Sequence, residues 1–263
     1  MTSDDTLTDD AITSRYRVYQ RVRGHRYSLD DVVVAWEAAR AKPDARTVID
    51  LGTGIGSVAL MLAHALPSAT IAAVEAQAIS FALLERNVAR NALGDRMRLH
   101  HGDLRDTSTY AHLGSAFDLV TGTPPYFPAS SVTHPPDSQR AHARVELRGG
   151  VEDYLAAASA LVAADGIVVV CADAQKPERV IRGAAQAGLS PATRRDVVPR
   201  EGKAALVGVW TLKRAACELT RLADLVARDA AGARRPIQHE LRGFFGLTIV
   251  DEAPSPKRAR RAR

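Results

Sequence analysis

Val48-Ile49-Asp50-Leu51-Gly52-Thr53-Gly54-Ile55-Gly56 is a short apolar run, an acid, and then three glycines at alternate positions. The pattern fits a strand, a tight turn and a helix, the first turn of a nucleotide-binding α/β domain. Lacking β-carbons, Gly52, Gly54 and Gly56 let a ligand approach the backbone, and the helix that follows offers free N–H groups. Glu75 lies 25 residues after Asp50, about where an acid accepts hydrogen bonds from ribose hydroxyls. Asp103 follows a third apolar stretch and is placed to contact an adenine edge, and Thr123-Pro124-Pro125-Tyr126 ends a fourth. The glycine turn and Glu75 together point to an adenosine-containing ligand. Each feature also has a plain reading. Gly-rich turns and strand-end acids occur without nucleotides, Gly-Asp is a common turn, and Pro-Pro-Tyr can be a rigid connection before a long loop.

The elements that must position these residues follow from periodicity. Strands are expected at 47–51, 70–74, 97–101, 117–122 and 166–171, with helices at 57–66, 77–91, 152–164 and 176–187 between them. Two final strands are expected at 193–198 and 204–212, a further strand within 218–228, and a short helix at 235–245. This alternation means a largely parallel sheet covered by helices on both faces. All four polar features then sit at strand carboxyl ends, where open α/β sheets bind ligands. Ahead of them, residues 15–23 alternate as a strand, with Tyr16, Val18, Gln20 and Val22 on one face and Arg15, Arg17, Tyr19, Arg21 and Arg23 on the other. Two readings fit the basic face: a seat for a nucleic-acid backbone, or an edge strand kept soluble by arginines. A helix at 30–41, capped by Ser28 or Asp30, ends before Pro43. The polar loop 127–150 carries His134, Arg140, His142, Arg144 and Arg148 and is the expected substrate-reading segment, with no metal-ligand spacing.

The chain has 263 residues, 46% hydrophobic, which suits one large α/β domain. Residues 1–14 are expected to be a disordered acidic N-terminus, 15–249 the domain with 15–45 as an N-terminal extension, and 250–263 a disordered basic tail. The net charge is +5; the tail from Lys257 to Arg263 holds five positive charges, and residues 1–10 hold four negative ones. The tail either adds phosphate contacts to an RNA substrate or only solubilises the chain. Apolar runs are too short for a membrane helix, and the acidic start is no secretory signal. Cys171 and Cys217 lie far apart and read as reduced thiols of a cytosolic protein, small residues of its core.

Asp50-Leu51-Gly52-Thr53-Gly54-Ile55-Gly56, Glu75, Gly102-Asp103 and Thr123-Pro124-Pro125-Tyr126, in this order and spacing, resemble class I S-adenosylmethionine-dependent methyltransferases. The last element is similar to the Asn/Asp/Ser-Pro-Pro-Tyr motif of enzymes that methylate planar nitrogens. The segment 24–30, Glu85-Arg86-Asn87 with Asn91, and Arg140-Ala141-His142-Ala143-Arg144 look like bacterial tRNA adenine N(6)-methyltransferases acting beside the anticodon. The resemblance covers residues 15 to 245 and implies a seven-stranded, mostly parallel Rossmann-like sheet with a small N-terminal strand extension. It implies that Asp50, Gly52 and Gly54 border the methionine part of S-adenosylmethionine, that Glu75 binds its ribose and Asp103 its adenine. It also implies that Arg26 and Tyr27 close the pocket, with the arginine able to pair with the cofactor carboxylate.

The exocyclic amine of adenine is a poor nucleophile because its lone pair is delocalised into the ring. Two acceptors on its N–H groups would localise that pair, and the family pattern assigns these roles to Thr123 Oγ1 and the Pro124 carbonyl. Tyr126, with Phe127, would stack on a base drawn out of its helix. Threonine stands where the commonest motif has Asn; its hydroxyl also accepts a hydrogen bond but is shorter. Protein-glutamine methyltransferases share the motif logic, so the acceptor is a tRNA adenine or a glutamine of a translation factor. Two other classes remain: a nicotinamide-dependent oxidoreductase, whose Gly-x-Gly-x-x-Gly spacing this turn lacks, and a non-catalytic RNA-binding module on the same fold.

Overall fold

The computed structural model describes residues 6–114, 116–127 and 137–248. A hairpin of β1 (Leu7–Ala11) and β2 (Arg17–Arg21) leads into α1 (Leu29–Ala41). Strand and helix then alternate: β3 (Thr47–Leu51), α2 (Ser57–Ala65), β4 (Thr70–Glu75), α3 (Ala78–Arg90), β5 (Met97–His101) and β6 (Phe117–Gly122). Next come α4 (Ser138–Arg144), α5 (Val151–Leu161), β7 (Val162–Asp173), α6 (Pro177–Gln186), β8 (Ser190–Val198) and β9 (Val207–Lys213). The described chain closes with β10 (Thr220–Arg221), β11 (Leu225–Val226) and α7 (Pro236–Phe244). The main sheet has the order β10-β8-β9-β7-β6-β3-β4-β5, with β11 also paired to β8. Strands β3 to β9 are the seven expected; the stretch 218–228 adds two short strands rather than one. Within the seven, β9 alone runs antiparallel to its neighbours.

Helices α1, α2 and α3 cover one face of the sheet, and α5 and α6 the other, each over its own apolar cluster. Alternation along β3 feeds both: Val48 joins the first cluster, while Ile49 and Leu51 join the second. The chain runs from β3 outward through β4 to β5, then returns to place β6 on the other side of β3. The carboxyl ends of β3 and β6 are therefore side by side, with Leu51 paired to Gly122. A crevice opens wherever strand order reverses in this way. The glycine turn and the Thr-Pro-Pro-Tyr segment leave the sheet at that crevice, 71 residues apart in sequence from Gly52 to Thr123.

The N-terminus corrects an expectation. Part of the acidic stretch 1–14 is the ordered strand β1, paired antiparallel to β2 from Leu7–Arg21 to Ala11–Arg17. Its acids have partners: Asp9 binds Arg17 and Asp10 binds Arg26. The other side of β2 is not an exposed edge. Arg17 N–H donates to Asn91 Oδ1 (2.8 Å) and Tyr19 N–H to Asn87 Oδ1 (2.6 Å), while the two amides donate back to the Arg17 and Tyr19 carbonyls. Asn87 of α3 and Asn91 at its C-terminal cap thus take the place of a neighbouring strand. Four residues of helix advance about 6 Å, close to the roughly 6.8 Å of two strand residues. The basic face of β2 is also committed. Arg17 faces Asp9, and Arg21 reaches Asp137 (3.0 Å) and Gln139 (3.2 Å) at the start of α4.

Helix α5 ends at Leu161 rather than at 164, because Val162 already pairs with Phe117 as the first residue of β7. Among the described residues no helix is long and apolar enough to cross a membrane. Residues 249–263, which include the basic tail, lie outside the described residues, as does His134.

Candidate active site

Two clefts meet at the strand reversal. The larger in empty volume, about 880 Å³ against about 690 Å³, is lined by the glycine turn (Gly52, Thr53, Gly54), by Glu75 and Asp103 at the ends of β4 and β5, and by Tyr27. The smaller is lined by Pro124, Tyr126, Arg26, Asp30, Arg140 and Arg144. His25, Asp31, Thr123 and Ala143 line both and mark the junction.

The turn is shaped by positive φ at Gly52 (+59°) and Gly54 (+60°), conformations that residues with a β-carbon avoid. A β-carbon at Gly54 would project into open space within the cleft, whereas one at Gly52 would meet Tyr154 of α5. Asp50 lies beneath the turn rather than in it. It is buried, takes hydrogen bonds from the Thr53 (2.6 Å) and Thr121 (2.7 Å) hydroxyls, and does not line the larger cleft. Its carboxyl is pushed up to about 6 by burial, against the pull of those two hydroxyls. It ties the turn to β6, so the two chemical segments share one support.

Glu75 spans the turn in the other direction. Its Oε2 accepts the Gly54 N–H (2.8 Å) and its Oε1 the Gln77 N–H (2.6 Å). Burial raises its pKa, while those two backbone donors work the other way. Each oxygen keeps a lone pair for a ligand hydroxyl. A Glu75→Gln variant would place an amide NH2 against one of the two N–H donors. It is expected to lose roughly 2 kcal/mol of stability by urea denaturation, the usual scale for a hydrogen bond to a charged group left unmade. Asp103 stands at the mouth. Arg105 binds both its oxygens (3.0 and 2.7 Å) and holds its carboxyl below the usual range.

Arg26 is placed differently from the expectation. Its guanidinium turns to Thr8 (2.9 Å) and Asp10 (2.8 Å) of β1, and it lines the smaller cleft but not the larger. One acid of β1, in a stretch expected to be disordered, holds it there: Asp10. Tyr27 does line the larger cleft, with its N–H donated to Gln20 (2.9 Å). Thr123 reaches both clefts, Pro125 the larger, and Pro124 and Tyr126 the smaller. The Tyr126 ring lies 4.9 Å from that of Phe127, and burial raises its phenol above the ordinary tyrosine value. From the polar loop, Arg148 donates to the Ala76 carbonyl (2.8 Å) beside Glu75 and lines the larger cleft. Helix α4 is seated by buried Gln139, which accepts from Arg21 and the His25 N–H and donates to Ser80. That leaves Arg140 and Arg144, one turn apart, exposed at the rim.

Sequence reasoning missed His25, Asp31, Tyr154 and Gln77. Asp31 carried a faint signal, an acid three residues after Ser28 at a helix start, but that pattern speaks of capping. Tyr154 sits mid-helix and gave none. Among the described residues, no three His, Cys, Asp or Glu side chains gather into a metal site.

A family model described as a methyltransferase small domain matches residues 37–140. A Porphyromonas gingivalis protein named tRNA1(Val) (adenine(37)-N6)-methyltransferase is 30% identical over 219 residues, covering 80% of this chain and 84% of its own. A Bradyrhizobium diazoefficiens protein named ribosomal protein uL3 glutamine methyltransferase is 36% identical over 106 residues, 40% of this chain and 32% of its own. Among solved structures, an Agrobacterium tumefaciens protein described as a predicted O-methyltransferase superposes with a TM-score of 0.63. It is 21% identical and covers 82% of this chain and 97% of its own, a likeness of fold.

Proposed function

Because the chain belongs to the class I S-adenosylmethionine-dependent methyltransferases, we propose that it transfers a methyl group to the exocyclic amine of an adenine in tRNA. The observation that carries this reading is the junction of the two clefts at Thr123, with the aromatic Tyr126 on one side and the glycine turn on the other. The larger cleft suits the cofactor. Gly54 leaves open the volume a β-carbon would take, and the carboxylates of Glu75 and Asp103 face the same space. S-adenosylmethionine supplies an activated sulfonium methyl, so the protein's part is alignment and electrostatics.

On this reading Gly52 and Gly54 border the methionine end, Glu75 takes the ribose hydroxyls and Asp103 the adenine. Tyr27 covers the cleft from the N-terminal side. Arg26, held by Asp10, faces the acceptor rather than the cofactor. Thr123 Oγ1 and the Pro124 carbonyl accept from the two N–H bonds of the amine, which localises its lone pair. Pro124 and Pro125 fix the backbone that aims both acceptors. Tyr126 and Phe127 receive the face of the extruded base. The domain of residues 15–249 does this work with β1 joined to its extension, and the reaction belongs in the cytoplasm with its substrate.

Arg144 is exposed at the rim of the acceptor cleft and suits a flanking phosphate. Arg144→Ala is expected to weaken binding of all tRNAs alike and to reduce the slope of log affinity against log salt by about 1; filter binding at several salt concentrations measures it. A second reading, transfer to a protein glutamine, is favoured by the threonine at 123 and by the uL3 glutamine methyltransferase relative. The deciding experiment is mass spectrometry of nucleosides from unfractionated tRNA incubated with the protein and cofactor. A new methyladenosine supports the proposal. An unchanged nucleoside pool with a methylated translation-factor fraction moves the assignment to glutamine, and neither product leaves the non-catalytic RNA-binding module.

A further inference from the structure

The first turn of α1 reaches the junction through Asp31, beside the end of the glycine turn. Asp31 in that turn is 7% exposed. Its Oδ2 accepts the Ser28 N–H (2.8 Å), and its Oδ1 accepts the Ser57 hydroxyl (3.0 Å) from the first residue of α2. Each oxygen retains a second lone pair. Of the four residues lining both clefts, His25, Asp31, Thr123 and Ala143, it is the one carboxylate among the described residues.

The reaction needs a group of this kind at this place. As the nitrogen lone pair forms the N–C bond, the C–S bond breaks and its electrons stay on sulfur as a neutral thioether. The nitrogen gains positive charge and must release a proton. A threonine hydroxyl and a backbone carbonyl can accept hydrogen bonds from the amine, but neither is basic enough to keep that proton. We propose that Asp31 accepts a hydrogen bond from the acceptor amine and takes the proton this nitrogen releases on methylation. The inference rests on the methyltransferase reading and holds whether the nitrogen belongs to adenine or to a glutamine amide.

The surroundings match. Burial pushes the Asp31 carboxyl up to about 7, helped by Asp30 on its own helix and Asp50 on β3, while Ser28 and Ser57 pull it down. Cys171 of β7 and Tyr126 also face it, each raised in part by its charge, and His25 lies across the same junction. The sign follows. Asp31 is ionised, and able to take a proton, only above about 7.

The test is methyl transfer by the full chain from labelled cofactor to whichever acceptor the wild type methylates, from pH 5.5 to 9. The wild-type kcat/KM should rise with pH through about 7 and then level. Asp31→Asn keeps the size and an acceptor oxygen; it should lose about 100-fold at pH 8 and lose the rising limb. Ser57→Ala removes a donor from the carboxylate and should move the limb to higher pH in the wild-type background only, which a structural cap would not do. Folding is checked in the same variant. The folded-state pKa lies above the unfolded 3.8, so the folded protein loses stability as pH rises from 3.8 to about 7, and that loss is fully present at pH 8. Unlike the two backbone donors on Glu75, the Ser57 hydroxyl can turn to accept from an amide NH2 while the Asn oxygen keeps the Ser28 N–H, so Asp31→Asn should melt no lower than wild type at pH 8. A variant that folds, binds cofactor and keeps either the wild-type rate or its rising limb overturns the proposal. A wild type that methylates neither RNA nor protein overturns the methyltransferase reading instead.

Discussion

Tyr126→Ala is expected to reduce methyl transfer by roughly two orders of magnitude while the cofactor still binds. The effect comes from position. Tyr126 leaves the sheet immediately after two prolines, lines the acceptor cleft and does not line the larger one. Stacking of one base on one aromatic ring contributes about 1–3 kcal/mol. Loss of the ring also frees the base to shift, and misplacement by about 1 Å costs on the order of 100-fold in rate. Tyr126→Phe keeps the face and should retain activity within about 3-fold on the same grounds. Label transfer gives the first quantity and calorimetric titration with the cofactor gives the second. If Tyr126→Ala no longer bound the cofactor, the residue would be a structural support of the larger cleft and the two-cleft assignment would fail.

Gly52→Ala should be the most damaging single substitution in the glycine turn. Its φ of +59° is unfavourable for alanine, and the new β-carbon would lie 1.9 Å from Tyr154 Oη and 2.8 Å from its Cζ. Tyr154 is buried beneath the turn, so yielding to the new β-carbon would mean repacking its neighbours or intruding on the cleft it lines. A left-handed alanine costs about 1–2 kcal/mol, and overpacking adds about 1–3. A loss near 3 kcal/mol by denaturation is therefore expected, with cofactor affinity falling because the turn must shift. Gly52→Ala combined with Tyr154→Phe removes the oxygen in the collision and should recover part of the loss, a non-additive cycle. Gly54→Ala is the contrast. Its β-carbon meets nothing within 4 Å, so the protein should fold with only the backbone penalty and yet bind the cofactor poorly. Equal stability losses at the two positions would show that backbone strain, rather than contact with Tyr154, sets the cost.

The parts of the site legible in sequence are those where one strand end carries its own signal. The glycine turn, Glu75 and Thr123-Pro124-Pro125-Tyr126 each follow an apolar run, and a parallel sheet brings all such ends to one edge. Arg26 lines the smaller cleft, with its guanidinium paired to Asp10 of β1 rather than turned to the larger one. Its direction is set by Asp10, and a strand whose sequence is Leu-Thr-Asp-Asp-Ala has too little apolar alternation to be recognised. The same holds for Asp31 and Tyr154. Each reaches the larger cleft from its own side, because α1 and α5 pack on opposite faces of the sheet. That geometry belongs to tertiary packing, and neither residue differs in type from an ordinary helical position.

Asn87 of α3 and Asn91 at its C-terminal cap alter how the N-terminal hairpin should exchange its amide hydrogens. In an ordinary hairpin the outward amides of the second strand exchange with solvent freely. Here the Arg17 and Tyr19 amides donate to Asn91 and Asn87, and Asn87 also donates to the Ile55 carbonyl (2.9 Å) in the glycine turn. Their slow exchange would therefore measure separation of β2 from α3, not fraying of β1 from β2. If the cofactor binds at that turn as proposed, its saturation should slow these two amides more than the inner amides of the hairpin. Two deuterium-exchange rates at the chain's start would then report occupancy of a site that the hairpin does not line.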